Sequence, residues 1–216
     1  AVTVLPLMVA LTCGQAPPPY VVTLVVGLNA SRDPEVAPLQ YADDDAARYA
    51  ELFASVSDQT VLLTVLDAES QQRHPQAAKE ARPPSRVELD QAVQSLAALV
   101  RAEAAKGRHT EFFFVYAGHG ALTPEHEGSV NLLDGLLLRR ELFREVLDPV
   151  PAEFKHVIID ACDAYFMVAK RGAAPASAVA AVKSFLDQEA LDGHPEVGVL
   201  ISGSREVVYG SPFCGA

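Results

Sequence analysis

The stretch EFFFVYAGHG, residues 111–120, is apolar from Phe112 to Ala117 and then stops at Gly118-His119-Gly120. An unbroken apolar run of strand-forming residues, ended by glycine, reads as a β-strand buried on both faces. Four more runs have this character: VVTLVVGLN (21–29), TVLLTVLD (60–67), HVIIDA (156–161) and VGVLIS (197–202). Strands covered on both faces need helices above and below them, and amphipathic segments lie between the runs. Ala46, Tyr49, Ala50 and Phe53 recur at helical spacing behind Asp43–Asp45, whose carboxylates suit a helix N-terminus. Ser85 and Glu88 form an S-x-x-E capping box, after which Leu89, Val93, Leu96 and Val100 line one face until Lys106-Gly107. Leu138, Leu142 and Val146 predict a third, shorter helix, and Ala176–Leu186 a fourth. The polar, proline-bearing segment 67–86 reads as an exposed loop. The alternation predicts a three-layer α/β fold, a mainly parallel sheet with helices on both faces.

The bulk composition agrees with a single globular domain. With 216 residues, 50% of them hydrophobic and 21% charged, the chain can bury a sizeable core. A formal net charge of −11 argues against nucleic-acid binding, which needs a basic face to displace counterions, and suits a cationic partner or substrate. Cys13, Cys162 and Cys214 are too few and too scattered for a disulfide framework or a paired-cysteine zinc site. Residues 1–19 form a separate zone of about a dozen apolar residues, then small residues, then three prolines. That zone resembles a secretory h-region with its cleavage site and linker. It is too short to span a membrane as a helix; an ordered N-terminal strand or extension is the alternative. If residues 1–16 are a signal peptide the location is periplasmic or secreted, and otherwise cytoplasmic. The domain proper is residues 20–216.

In a parallel sheet, ligands and chemistry gather at the carboxyl ends of the strands. Two of those ends carry reactive residues: His119 follows EFFFVYAG and Cys162 follows HVIIDA. Each alone has a bland reading, as a solvated imidazole and an inert core thiol. Together, at the exits of neighbouring parallel strands, they suit a Cys–His dyad in which the imidazole activates the thiol. The glycines beside His119 let the backbone turn sharply and leave the Gly120 amide free to approach a substrate oxygen. His119, Cys162 and Asp160 lack the short-range spacing of a zinc site, so no metal is assigned. There is neither a G-x-S-x-G elbow nor a phosphate-binding glycine loop. His74 and His126 lie in polar segments and read as solvated. His109 and His156 precede strands, as caps or packing residues, and His194 sits in a loop near Asp192.

FVYAGHG, followed 43 residues after its His by the Cys of VIIDAC, resembles the caspase-type cysteine peptidases, and more closely their bacterial, metacaspase-like branch. LQYADDDAARYAELF (39–53) is similar to that family's first helix, and the resemblance extends over residues 21–204. It implies a caspase-like fold and a cysteine endopeptidase in which Cys162 is the nucleophile and His119 its acid–base partner. The amides of Gly120 and Cys162 would then form the oxyanion hole. Caspases that cut after Asp use arginines in their specificity pocket, whereas the metacaspase-like branch cuts after Arg or Lys with two aspartates. Asp45 and Asp160 stand at those positions, with Asp43 and Asp44 as neighbours able to take the first role. Ser202 and Ser204, in SGSREVVYG, match the segment that runs along the substrate; Arg205 there would favour an acidic substrate residue if it faced the pocket. The partner is therefore a protein or peptide with a basic residue before the cleaved bond. No cofactor is implied, although some relatives depend on calcium or self-cleavage, and the oligomeric state is open. The chain departs from the pattern at DAYF after Cys162, and it stops at SPFCGA where the family continues with a further strand and helix. A truncated C-terminus and a catalytically silent module that binds a protein partner are accordingly the alternatives to set against the peptidase.

Overall fold

The computed structural model describes residues 17–125, 127–161 and 194–201. Five strands form one sheet: β1 (Tyr20–Leu28), β2 (Gln59–Thr64), β3 (Thr110–Gly118), β7 (Phe154–Ala161) and β8 (Val197–Ile201). Their order is β2-β1-β3-β7-β8, and every pairing is parallel. These are the five runs read from the sequence, each displaced by no more than a few residues. The segment around residues 176–186 lies outside the described residues.

Alternation along the strands sends side chains to two unlike layers. Val22, Leu24 and Val26 of β1, Phe112, Phe114 and Tyr116 of β3, and Val157 and Ile159 of β7 face helix α4 (Arg86–Ala104). That helix buries Leu89, Val93, Leu96 and Val100 against them, the stripe its periodicity predicts. Val25 and Val115 face the other way, toward helix α1 (Ala42–Ala54), which contributes Ala46, Ala47, Ala50 and Phe53. The chain is thus a three-layer α/β fold with helices on both faces of a parallel sheet. The α1 layer sits very close: a Cβ on Gly27 would lie 2.3 Å from the Cβ of Ala46 and 2.8 Å from the carbonyl oxygen of Ala42.

A small antiparallel sheet, β4 (Gly120–Leu122), β5 (Gly128–Asn131) and β6 (Leu136–Leu138), leaves the end of β3 and packs Val130 and Leu137 into the α4-side core. The third helix expected around Leu138–Val146 is a single turn, α5 (Arg139–Glu141), running into a π-helical turn, Leu142–Leu147. In that turn the Asp148 N–H donates to Phe143 O at 2.8 Å, five residues back. At α4 the Ser85 hydroxyl accepts the Glu88 N–H at 3.3 Å, but the Glu88 carboxylate turns to Arg82 at 2.9 Å. The hydroxyl half of the expected capping box is formed, and the carboxylate serves an ion pair.

Segment 67–86 corrects the expectation of an exposed loop. It folds into helices α2 (Ala68–Arg73) and α3 (Ala77–Glu80), with Ser70, His74 and Ala77 buried. Asp67 caps α2, accepting the N–H groups of Glu69 and Ser70, both at 2.8 Å. The physical reason is tertiary. Arg73 Nη1 lies 2.9 Å from Asp44 Oδ2, and the His74 ring bridges Asp44 Oδ1 at 3.2 Å and Glu51 Oε1 at 2.8 Å. His74, expected to be solvated, is instead a buried link between α2 and α1. Past α3, Arg82 pairs with β2, its N–H donating to Leu62 O at 3.1 Å and its carbonyl accepting the Thr64 N–H at 2.8 Å.

Candidate active site

The register of the adjacent strands β3 and β7 sets their carboxyl ends side by side. Gly118 of β3 pairs with Ala161 of β7, and Ala117 with Asp160. His119 is the residue that follows Gly118, and Cys162 is the residue that follows Ala161 in the sequence. Cys162 itself lies outside the described residues, as do Ser202, Ser204, Arg205, Cys13, Cys214 and His126.

The backbone before His119 admits only glycine. Gly118 has φ +155°, and a Cβ there would lie 2.6 Å from the Tyr116 hydroxyl oxygen and 2.9 Å from Leu28 O. Tyr116 is completely buried and holds the turn from inside. Its hydroxyl lies 3.0 Å from Asn131 O and 3.1 Å from His119 O, and accepts the Asn131 N–H at 3.1 Å. Burial drives the phenol's pKa far upward, so it is a neutral donor at any physiological pH.

His119 is half-buried, and its Nε2 has no hydrogen-bond partner among the described residues. Burial lowers the imidazole's pKa below the ordinary value, and the backbone at Asn29 and Ala37 acts in the opposite sense. A ring kept neutral near pH 7, with an unengaged nitrogen, can accept a proton. Gly120 opens β4 opposite Val130. His119 O accepts the Asn131 N–H and the Thr123 N–H donates to Glu127 O, so the alternation of an antiparallel ladder makes Gly120·Val130 a non-hydrogen-bonded pair. The Gly120 N–H therefore points away from β5, out of the edge of the small sheet.

The three acidic residues that open α1 separate into two roles. Asp43 is wholly buried, accepts the Asn29 side-chain amide at 2.7 Å and takes the Asp67 N–H at 2.9 Å. Asp44 holds Arg73 and faces His74, so both of these carboxylates fasten neighbouring segments. Asp45, only 5% exposed, lies at 3.3 Å from the exposed Arg48. Asp160, also 5% exposed, sits on the α1 side of β7, two residues beyond Ile158. Tyr49 responds to both: burial raises its phenol's pKa first, then the charge of Asp160, then that of Asp45.

Two contributors escaped the reading of the sequence. Asn29, at the exit of β1, caps α1 from across the connecting loop: its Oδ1 accepts the Ala42 N–H at 2.8 Å and the Asp43 N–H at 3.3 Å. The helix-preceding residue, Tyr41, makes no side-chain cap. Tyr116 looked like one more apolar strand residue, and only the fold of residues 119–131 reveals its polar end. The remaining histidines lie apart from the strand exits. His109 pairs with Glu153 at 2.6 Å, His156 stacks on Phe113 with ring centroids 4.3 Å apart, and His194 is 3.5 Å from Glu196. His156 is a residue of β7, not one that precedes it.

Among the described residues, no group of three or more His, Cys, Asp and Glu side chains is arranged to hold a metal ion. No helix there is long and apolar enough to cross a membrane. A cleft of about 420 Å³ between α1, β2 and α3, lined by Glu51, Thr60, Leu62, Ala77 and Arg82 among others, contains none of the site residues.

No protein-family model matches the chain. No curated protein matches it either. Among solved structures it is similar to a structural-genomics target protein from Geobacter sulfurreducens, at 19% sequence identity over 85% of this chain and 72% of that one, with a TM-score of 0.46.

Proposed function

We propose that the protein is a cysteine endopeptidase that cleaves after arginine or lysine, with Cys162 as nucleophile and His119 as general base and acid. The observation that supports it most directly is the Gly118·Ala161 register pair, because the two reactive residues are the next ones along adjacent parallel strands. In this reading neutral His119 takes the Cys162 proton, and the thiolate attacks the substrate carbonyl carbon. The oxyanion of the tetrahedral intermediate receives the outward N–H of Gly120 and that of Cys162. The imidazolium returns its proton to the leaving amine, and water then hydrolyses the thioester with His119 again as base. Asp45 and Asp160 receive the basic side chain before the cleaved bond, where buried carboxylates make charge-assisted hydrogen bonds. A net charge of −11 draws a basic substrate toward the site.

The test is hydrolysis of matched fluorogenic peptides ending in Arg, Lys or Asp, with and without added calcium, by the wild-type chain and by Cys162→Ala. Cleavage after Arg or Lys that disappears in the variant is the expected result. Cleavage after Asp would keep the dyad and overturn the aspartate pocket in favour of Arg205. No cleavage at all would overturn the peptidase and leave the silent partner-binding module.

A further inference from the structure

We propose that Tyr49 forms a wall of the basic-residue pocket and makes it select a guanidinium over an ammonium, that is, arginine over lysine. The inference rests on the reading of Asp45 and Asp160 as that pocket. On α1, positions 45, 49 and 53 follow one another at a spacing of four and share a face. The lowest of the three is anchored by a ring contact: Phe53 and Phe113 have centroids 5.0 Å apart with planes tilted by 45°. One turn nearer the site, half-buried Tyr49 packs on the same α1-side cluster as Phe113 and Ile158. Two residues beyond Ile158, on the same face of β7, comes Asp160, and one helical turn beyond Tyr49 comes Asp45. An aromatic ring thus lies below two nearly buried carboxylates, at the carboxyl end of the sheet. The charge of each carboxylate is felt at the phenol, which agrees with that arrangement.

The chemistry follows from the difference between the two cations. A guanidinium is flat and weakly hydrated, so it can give its edge to carboxylates and its face to an aromatic ring. An ammonium is compact and strongly hydrated and gains less from the ring. Asp45 already accepts a guanidinium, that of exposed Arg48, in this structure. Lysine would find the charges of the pocket but not the use of its wall.

The probes are agmatine and cadaverine, decarboxylated arginine and lysine, which share an amine at one end and differ in carrying a guanidinium or an ammonium at the other. Each is titrated by NMR into the full chain carrying Cys162→Ala, with Tyr49 intact, Tyr49→Phe or Tyr49→Leu. Agmatine should bind about fivefold more tightly than cadaverine, a ratio that Tyr49→Phe keeps and Tyr49→Leu brings close to one. If the leucine variant melts early, Tyr49→Met, unbranched and better able to fill an irregular gap without an aromatic face, takes its place. Absence of agmatine binding, or an unchanged ratio in the variant without the ring, overturns the proposal. Peptide hydrolysis separates this failure from that of the peptidase. Tyr49-dependent selectivity in a protein that cleaves nothing upholds the pocket and rejects the enzyme. Equal cleavage after Arg and Lys, indifferent to Tyr49→Leu, upholds the enzyme and rejects the selectivity.

Discussion

The two faces of the sheet are built from opposite materials. The face under α4 is thick and mainly apolar: Phe112, Phe114, Tyr116, Leu24, Leu63, Leu89 and Leu96 are among its fully buried side chains. The face under α1 is thin, closed by Gly27 and by alanines, and it holds buried ionisable side chains: Asp43, Asp44, Asp45, His74 and Asp160. Burying ionised groups is costly unless each is paired or hydrogen-bonded. Among the described residues the α4 face buries one such group, Lys155, 3.7 Å from Glu196 at the far end of β7, so the ionisable groups gather on the other face. The candidate pocket belongs to the thin face, and the clamp that holds His119, Tyr116, reaches it from the thick one.

Five measurements would break or sharpen that division. The largest effect should come at the hinge of the two layers. His119→Ala should lower kcat/KM by about 10⁴-fold while leaving the melting temperature nearly unchanged. If the wild-type protein is the proposed peptidase, the acid limb of its rate profile should fall below the ordinary imidazole value near 6.5, because burial disfavours the charged ring. The sign is that of a depressed pKa: the neutral base is present above it, and both activity and the stability linked to it are lost as pH falls through it. An acid limb above 6.5 in a steady-state profile would contradict the burial of His119.

Next comes the thick face. Phe114→Ala should cost about 3–5 kcal/mol in a denaturant titration, through lost transfer energy and the cavity left behind. The protein that remains folded should keep its kcat. Gly27→Ala tests the thin face, where the new methyl must push α1 away from β1. We expect a loss of about 1–3 kcal/mol, with KM for a basic peptide raised, since Asp45 and Tyr49 ride on the displaced helix. A Gly27→Ala protein with unchanged KM would show that α1 does not carry the pocket.

The smallest effects should be the most diagnostic. Asn29→Ala and Ser85→Ala each remove the side-chain cap of one helix, α1 and α4 respectively, and each should cost about 1 kcal/mol. Only Asn29→Ala should also weaken turnover of basic peptides. Equal kinetic effects would erase the functional difference between the layers.

The main sheet was legible because each of its strands is an apolar, β-branched or aromatic run bounded by a turn signal; β1 and β3 are covered on both sides, whereas β8 leaves Leu200 exposed. α1 and α4 were legible from periodicity. Segment 67–86 was not, because its helices are polar and short, and what stabilises them is remote: Arg73 finds Asp44 and His74 finds Glu51 across more than twenty residues of chain. β4, β5 and β6 are three or four residues long, too short for alternation to declare itself. At the candidate site, His119 and Gly120 could be picked out from the glycines that frame them. The separation of Asp43 and Asp44 from Asp45 could not, since three adjacent aspartates look alike until the fold turns two of them toward segments remote in the chain. Tyr116 and Asn29 act through bonds to backbone far along the chain, which local pattern does not encode.

The strand order also sets a sequence of events during synthesis. β1 pairs with β2 and β3, so residues 20–118 already contain a three-stranded sheet with α1 on one side and α4 on the other. Domains and subdomains emerge N-terminal first and can form contacts as they do. Asp45, Tyr49 and then His119 can therefore be in position before β7, and the cysteine behind it, leaves the ribosome. In the proposed peptidase the nucleophile thus follows its base, and the dyad cannot form until the strand that precedes Cys162 has found its register beside β3.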